Sequence, residues 1–267
     1  MKVSIIIPAY NEEKRIGKTL QDYTAFFDKL ASQGALTYEI LVVINNTKDR
    51  TEEVVKEFMK KNSSIRYLNF KQVGKGFAIT QGFKDALKRD NDVLGFVDAD
   101  MATPPASFYE LIKSCVICDG AIANRYDALS SIYPKMTFRR IIVARVFNLI
   151  VRLLFFVPYR DTQCGAKVLR RRVVENILPH FTITQWAYDI DLLYLAKKNG
   201  FHISSCPTEW HDKEGSKVRI IGSSIEMLFA VIQLRVFHSP FSRLLKPIKR
   251  PIGRVYRFLL SRKTLKS

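Results

Sequence analysis

The sequence predicts an α/β fold built on a doubly wound, mostly parallel sheet, and three observations predict it. Short apolar runs rich in β-branched residues recur near residues 3–7, 38–44, 65–70 and 93–97, each the length of a strand. Stretches with helical spacing of apolar residues separate them, at about 15–30, 51–61 and 75–88. Strand and helix therefore alternate along roughly the first hundred residues, as parallel strands joined by crossover helices do. A chain of 267 residues holds one such domain with a large core, or a domain and an appendage.

The first run, 3–7, ends at Pro8, and Ala9-Tyr10-Asn11-Glu12 leads into the first helix. The second strand runs into the polar turn Asn45-Asn46-Thr47-Lys48-Asp49. After the third strand, Gly74-Lys75-Gly76 opens a helix, and the fourth strand delivers Asp98-Ala99-Asp100 just past its carboxyl end. Ligands of such sheets bind beyond the carboxyl ends of the strands. Residues 8–12, 45–49 and 98–100 all fall there. From about Tyr109 the rhythm changes. A helix to about Cys118 is followed by a short strand at 121–123, a long basic apolar helix at 138–156, and a helix at 189–198. A strand near 202–206 and a last apolar helix at about 223–237 precede a basic tail. Without an internal repeat or low-complexity linker, residues 1–222 read as one domain and 223–267 as a C-terminal appendage.

The formal net charge is +18, and it is segregated. Residues 128–160 hold six Lys/Arg and no acid, and residues 227–267 hold ten and no acid. Two basic patches of this kind suit an anionic partner: nucleic acid, membrane lipid or a phosphorylated substrate. No nucleic-acid module is recognisable, and the aromatics are not interleaved with basic residues as base-stacking platforms, which sets nucleic acid aside. Cys115 and Cys118 form a C-x-x-C with no second pair at zinc-ribbon spacing, so all four cysteines read as reduced thiols of a cytosolic protein. The N-terminal apolar run is too short for a signal peptide. No uncharged run of about 18 apolar residues suggests a spanning helix. Within 141–157 the polar residues Arg145, Asn148 and Arg152 step by three and four, which predicts a narrow polar stripe on an otherwise apolar helix. With the basic tail, this predicts a monotopic protein lying on an anionic membrane surface.

Asp98 and Asp100 project to the same side of an extended segment, because side chains repeat every two residues. A hard divalent ion takes such oxygen ligands and keeps substrate phosphates in its shell. Gly74-Lys75-Gly76 offers main-chain N–H groups and a cation to phosphate, although it lacks the spacing of a P-loop or dinucleotide fingerprint and serves equally as a turn. Pro8-Ala9-Tyr10-Asn11-Glu12 suits a planar base and a ribose, or simple strand termination.

Together these motifs resemble the family 2 glycosyltransferases of the GT-A fold, which carry strand–P-A-Y-N-E, a polar turn after the second strand, G-K-G and D-A-D in this order. The second half narrows the resemblance. Asp161-Thr162-Gln163-Cys164-Gly165-Ala166-Lys167, Trp186-Ala187-Tyr188-Asp189, and Glu209-Trp210-His211 with Gly215-Ser216-Lys217 look like the dolichyl-phosphate β-glucosyltransferase branch. The resemblance spans about residues 1–235. It implies a nucleotide-sugar donor, Mg²⁺ or Mn²⁺, a dolichyl or polyprenyl phosphate acceptor, and a place on the cytoplasmic face of the cell or endoplasmic reticulum membrane. Pro8, Ala9, Tyr10 and Glu12 would line the base and ribose pocket, with Asn45 at the nucleoside-reading position. Asp98 and Asp100 would hold the metal, and Lys75 with an arginine would stabilise the departing diphosphate. Arg125 would face the donor or acceptor phosphates. Arg139 or Arg140, His211, Ser216 and Lys217 would serve the lipid phosphate. Asp189, with Asp100 and Arg139 at the reacting centre, would fix sugar hydroxyls or act as a base.

Two departures bear on the donor. Relatives usually carry Asp-Asp-Gly-Ser where this chain has Asn45-Asn46-Thr47-Lys48, and an amide donates as well as accepts. Mannosyl-transferring relatives often place a glutamine at Ala102 and an arginine at His211. The resemblance therefore favours a UDP-sugar and glucosyl-type transfer. The alternatives are a GDP-mannose-dependent dolichyl-phosphate mannose synthase, and a transferase that builds a polysaccharide or glycolipid on a sugar hydroxyl.

Overall fold

The computed structural model describes residues 1–182, 187–212 and 220–239, with side chains in the last segment from residue 227. Strands β1 (Lys2–Ala9), β2 (Thr37–Asn45), β3 (Ile65–Phe70) and β4 (Val93–Phe96) are the four expected ones. Helices α1 (Ile16–Ser32), α2 (Thr51–Lys61) and α3 (Lys75–Ala86) connect them. After α4 (Pro105–Ser114) come β5 (Gly120–Asn124), β6 (Ser131–Tyr133), α5 (Phe138–Phe155), β7 (Lys167–Arg170) and α6 (Arg171–Ile177). A 3-10 turn (Leu178–His180), helix α7 (Tyr188–Lys198), β8 (Ile203–Pro207), β9 (Glu209–His211) and α8 (Ile220–Phe237) complete the described elements.

Seven strands form one sheet in the order β3-β2-β1-β4-β7-β5-β8. Strands β1 to β4 pair in parallel, as do β5 and β8, and β7 lies antiparallel between β4 and β5. Both faces are covered, which explains the continuous apolar runs. On one face Ile5, Ile7, Val42 and Ile44 pack with Leu20, Tyr23 and Phe27 of α1 and Phe108 of α4. On the other, Ile6, Leu41, Val43 and Phe96 pack with Ile79 and Phe83 of α3 and Tyr188 and Leu192 of α7. Adjacent residues of one strand thus serve two separate cores.

The structure departs from the sequence expectation in the second half of the chain. Strand β7 was not expected, nor was the small parallel pair β6–β9. The boundary expected at 222/223 falls inside α8, whose Ala230, Val231 and Leu234 are buried in the same core as α3 and α7. Finally, α5 does not carry the expected polar stripe. Asn148 is buried with Phe147, Val151 and Phe155, whereas Ile142, Val146, Leu149 and Leu153 face outward. The basic tail, 240–267, lies outside the described residues.

Candidate active site

The site is built where β1, β2 and β4 end. Pro8 and Ala9 are buried as the last residues of β1, and Tyr10 is half exposed beyond them. The loops after β1 and β2 are laced together. Lys48 N–H donates to Asn11 Oδ1 (2.9 Å), Glu12 N–H to Thr51 Oγ1 (2.8 Å) and Glu13 N–H to Asp49 Oδ2 (3.0 Å). Glu12 is held by a two-point pair with Arg15 at 2.6 Å. Burial, and the charges of Asp100 and Asp98, outweigh that pair and raise the Glu12 pKa. Asn45, expected to read the nucleoside, is buried with its amide occupied. Its nitrogen donates to the Ala9 carbonyl at 3.1 Å, and its oxygen accepts the Gly74 N–H at 3.2 Å. Asn45 therefore fixes the loop that carries Lys75 to the end of β1. Gly74 sits at φ 131°, a conformation that favours glycine, so the turn into α3 is sequence-encoded.

Beyond β4, Asp98 pairs with the Lys75 ammonium. Burial opposes the Lys75 charge, but Asp98, Asp189 and Asp100 outweigh it and raise its pKa. Asp100 accepts the Ala102 N–H at 3.0 Å. Its pKa is raised, first by burial and then by the neighbouring Asp98 charge. The intervening turn is held from behind by Thr19 Oγ1, which donates to Ala99 O (2.7 Å), and by Tyr23 OH, which donates to Thr103 O (2.9 Å). His211 N–H donates to Ala102 O at 2.7 Å, which brings β9 alongside this turn. The His211 ring is hydrogen-bonded to Glu209 at 2.7 Å and lies tilted against Tyr133.

The D-T-Q-C-G segment closes the site from the other half of the chain. A Cβ on Gly165 would lie 1.9 Å from Asp98 Oδ2, so only glycine leaves the Asp98 carboxylate its place. Arg125 is not free to face a phosphate with its whole guanidinium. Its Nε and Nη2 donate to the two oxygens of fully buried Asp161 at 2.8 and 2.9 Å, and its own N–H adds a third bond. Burial disfavours the Arg125 charge, but Asp161 more than compensates and raises its pKa. Trp210 lies over the same guanidinium at 5.1 Å. Thr162 donates through N–H and Oγ1 to Asn148 Oδ1 of α5. Asp189, in the first turn of α7, is buried and accepts from the Lys167 ammonium at 2.6 Å.

The remaining expected residues are less gathered. Arg139 is exposed at the start of α5. Arg140 pairs with Asp212 and lies over Trp210. Ser216, Lys217 and Trp186 lie outside the described residues. All four cysteines are free, and burial pushes the Cys115 thiol up to about 12, far from a reactive thiolate. Sequence reasoning gave no individual role to Asn148, Asp161, Gly165 or Lys167. The last three sit inside the quoted D-T-Q-C-G-A-K motif, so the signal was present; the spacing of Asn148 places it only in a narrow polar stripe of the helix.

Asp98 and Asp100 fit a divalent ion. They are two hard oxygen donors at one turn, and both the burial and the Asp98 charge that raise the Asp100 pKa penalise an ionised carboxylate that a bound cation would stabilise. Among the described residues no third His, Cys, Asp or Glu joins them. Mg²⁺ is bound in just this way, through one or two carboxylates plus substrate phosphates and water.

A family model described as glycosyl transferase family 2 matches residues 4–178. The dolichyl-phosphate β-glucosyltransferase of Dictyostelium discoideum is 32% identical over 246 residues, spanning 87% of this chain and 73% of that protein. The human dolichyl-phosphate β-glucosyltransferase is 30% identical over 240 residues, spanning 85% and 72%. Among solved structures, glucosyl-3-phosphoglycerate synthase from Mycobacterium tuberculosis, in complex with Mn²⁺, uridine diphosphate and phosphoglyceric acid, matches with a TM-score of 0.66. It is 16% identical, and the match covers 88% of this chain and 78% of that one. At that identity the likeness establishes the fold. With its half-parallel, half-mixed sheet and the D-x-D turn at the strand ends, the chain belongs to glycosyl transferase family 2 and is a glycosyltransferase of the GT-A fold.

Proposed function

We propose that this enzyme moves glucose from UDP-glucose to dolichyl or polyprenyl phosphate, with inversion, using Mg²⁺ or Mn²⁺. The observation that carries the reading is the contact of Gly165 with Asp98. It joins the D-T-Q-C-G segment, which resembles the dolichyl-phosphate β-glucosyltransferases, to the D-x-D turn. Relatives of that name at 30–32% identity support it.

In the reaction, a phosphate oxygen of the lipid forms a bond to the anomeric carbon from one side. The bond to the diphosphate breaks on the other, and the nucleoside diphosphate leaves with the electron pair. Tyr10, half exposed, would meet the base, and Glu12 the ribose. Asp98 and Asp100 would hold the metal, which when bound supplies Lewis-acid neutralisation of the diphosphate charge. Lys75 adds a fixed cation on the same side. The acceptor phosphate is ionised at neutral pH, so a strong general base is not required. Transfer to a sugar hydroxyl would need one, and Asp189 has its Oδ1 already taken by Lys167. That favours the phosphate acceptor. Ala102 and His211 support UDP over GDP, and Arg139, Ser216 and Lys217 remain the proposed contacts of the lipid phosphate.

The protein would meet its acceptor as a monotopic protein on the cytoplasmic leaflet. Phe138, Ile142, Val146, Leu149 and Leu153 of α5 and Phe229, Ile232 and Val236 of α8 expose an apolar surface, and α5 and α8 pack against each other. Arg139, Arg145 and Arg152 are exposed on α5. An apolar face edged with cations suits the headgroup boundary of an anionic bilayer. No helix among the described residues is long and apolar enough to cross a membrane.

The test is a panel of UDP- and GDP-sugars with polyprenyl and dolichyl phosphates, in Mg²⁺ and in Mn²⁺, with mass spectrometry of the lipid product. The expected product is a hexosyl phosphate lipid labile to mild acid, made from UDP-glucose. An acid-stable glycoside would overturn the acceptor, and preference for GDP-mannose would overturn the donor.

A further inference from the structure

We infer that Lys167 is a positioning residue of the active site, one ammonium that fixes Asp189 and the D-T-Q-C-G turn to each other. The observation is a lysine in the middle of a sheet. Lys167 is fully buried, on the antiparallel strand β7, opposite Phe96 of β4 and Ile122 of β5. Its ammonium donates to Asp189 Oδ1 at 2.6 Å and to the Cys164 carbonyl at 2.7 Å, and stands 5.5 Å from the centre of the Phe96 ring.

Stability alone does not explain a charge in this place. A buried ion pair seldom outperforms apolar residues of similar volume, because desolvation of both ions offsets their attraction. What the pair does supply is direction. Asp189 comes from the first turn of α7 and Cys164 from the turn beside Gly165. Among the described residues no backbone hydrogen bond joins those two segments; Lys167 does. With Oδ1 held, the other Asp189 oxygen has a fixed position, within the field of Lys75, whose charge Asp189 helps to sustain. The same ammonium fixes the carbonyl preceding Gly165, hence the glycine surface on which the Asp98 carboxylate rests. Lys167 touches no substrate in this account. It acts through Asp189, toward the transferred sugar, and through Cys164, toward the D-x-D turn.

The inference rests on the proposed UDP-glucose and dolichyl phosphate reading, and the experiment separates the two. Full-length Lys167→Met, Asp189→Asn and the double variant are compared with wild type for turnover, for UDP affinity by calorimetry and for urea midpoint. Lys167→Met and Asp189→Asn should each lower kcat about 100-fold, the scale of a misplacement near 1 Å. In Asp189→Asn, where Lys167 still holds the Cys164 carbonyl, UDP, which lacks the sugar, should bind within twofold of wild type; a merely structural defect would weaken it. Because the residues act as a unit, the double variant should lose far less than the product of the single losses. It should also unfold at higher urea than Lys167→Met, since it leaves no unpaired buried carboxylate. If Lys167→Met does not fold, Asp189→Asn is compared with the double variant, and similar kcat values support the inference. Near-wild-type kcat in Lys167→Met, or multiplicative losses in the double variant, would overturn it. Wild-type inactivity with UDP-glucose would sink the donor reading only, and the urea comparison would still decide this one: equal midpoints for Lys167→Met and the double variant refute the pairing.

Discussion

Gly165→Ala is the most selective perturbation of this site. Gly165 is not among the residues with positive φ, so alanine adds no backbone strain, and the effect comes from the new methyl group alone. That methyl would lie 1.9 Å from Asp98 Oδ2 and 2.5 Å from its Cγ. Ordinary contact begins near 3.4 Å, so the carboxylate must retreat by about 1.5 Å. Its side chain is 36% exposed, so it has room to swing, and the stability cost should sit near the lower end for overpacking, about 1 kcal/mol. The functional cost should be larger. A displacement of this size in a group that holds metal and diphosphate is worth about 100-fold in turnover. The Asp98–Lys75 pair would move with it. The assay measures Mn²⁺ affinity by calorimetry, kcat, and the urea midpoint on one preparation. Loss of metal affinity and of kcat with a nearly unchanged midpoint is the expected result. Wild-type metal affinity and kcat in a folded Gly165→Ala protein would refute the reasoning that Gly165 gives Asp98 its place.

Asp100→Asn should abolish metal-dependent turnover and also raise the melting temperature of the metal-free protein at neutral pH. Burial and Asp98 raise the Asp100 pKa on folding, so this carboxylate favours the folded state least when charged; the stability present below about pH 4 is lost as pH rises through its folded pKa. The gain in Asp100→Asn should accordingly shrink toward pH 4 in melting scans, and a gain independent of pH would contradict this. Asp161→Asn, which leaves Arg125 buried without its carboxylate, should cost about 3 kcal/mol in urea unfolding; a cost under 1 kcal/mol would show the pair to be dispensable. On anionic liposomes at low salt the full chain should float. Leu149→Glu/Leu153→Glu should float less, and a chain ending at Ser239 is the appropriate truncation, because a cut at Gly222 removes the buried Ala230, Val231 and Leu234. Equal flotation of the Leu149→Glu/Leu153→Glu protein would exclude α5 as the docking face.

The first half of the fold was legible because each strand is long enough to show its apolar run and each crossover helix its period. The second half was less so. Strand β7 is four residues, Lys-Val-Leu-Arg, begun by a lysine and followed by two more arginines. By composition it reads as a surface segment, yet its lysine is buried because Asp189, 22 residues later, supplies the counter-charge. Periodicity carries no information about such a partner. Asn148 was misread for the same reason. Its spacing with Arg145 and Arg152 matches a polar stripe, but Thr162 gives it two hydrogen bonds inside the core. Motif order identified D-x-D, G-K-G and D-T-Q-C-G as parts of one site. It did not show that Asn45 would be consumed by the main chain, because the Ala9 and Gly74 groups it satisfies exist only once the strands are paired.

The buried amide of Asn148 belongs to a wider pattern that bears on how a lipid substrate would be handled. The two helices with exposed apolar faces are each tied to the site by a buried polar group. Asn148 of α5 holds Thr162, next to the Asp161 that clamps Arg125. His238, just past α8, is hydrogen-bonded to Asp191 at 2.7 Å, two residues beyond Asp189, and Thr182 bonds the other oxygen of the same carboxylate. An apolar contact alone would let either helix slide, since apolar packing is not directional. A hydrogen bond to a buried carboxylate or amide is directional, and it costs about 1–3 kcal/mol to leave unmade. On the membrane reading, the surface that meets the bilayer is therefore held in register with the segments that carry Asp189 and Arg125. That register is what an enzyme needs when its acceptor phosphate arrives on a tail anchored elsewhere.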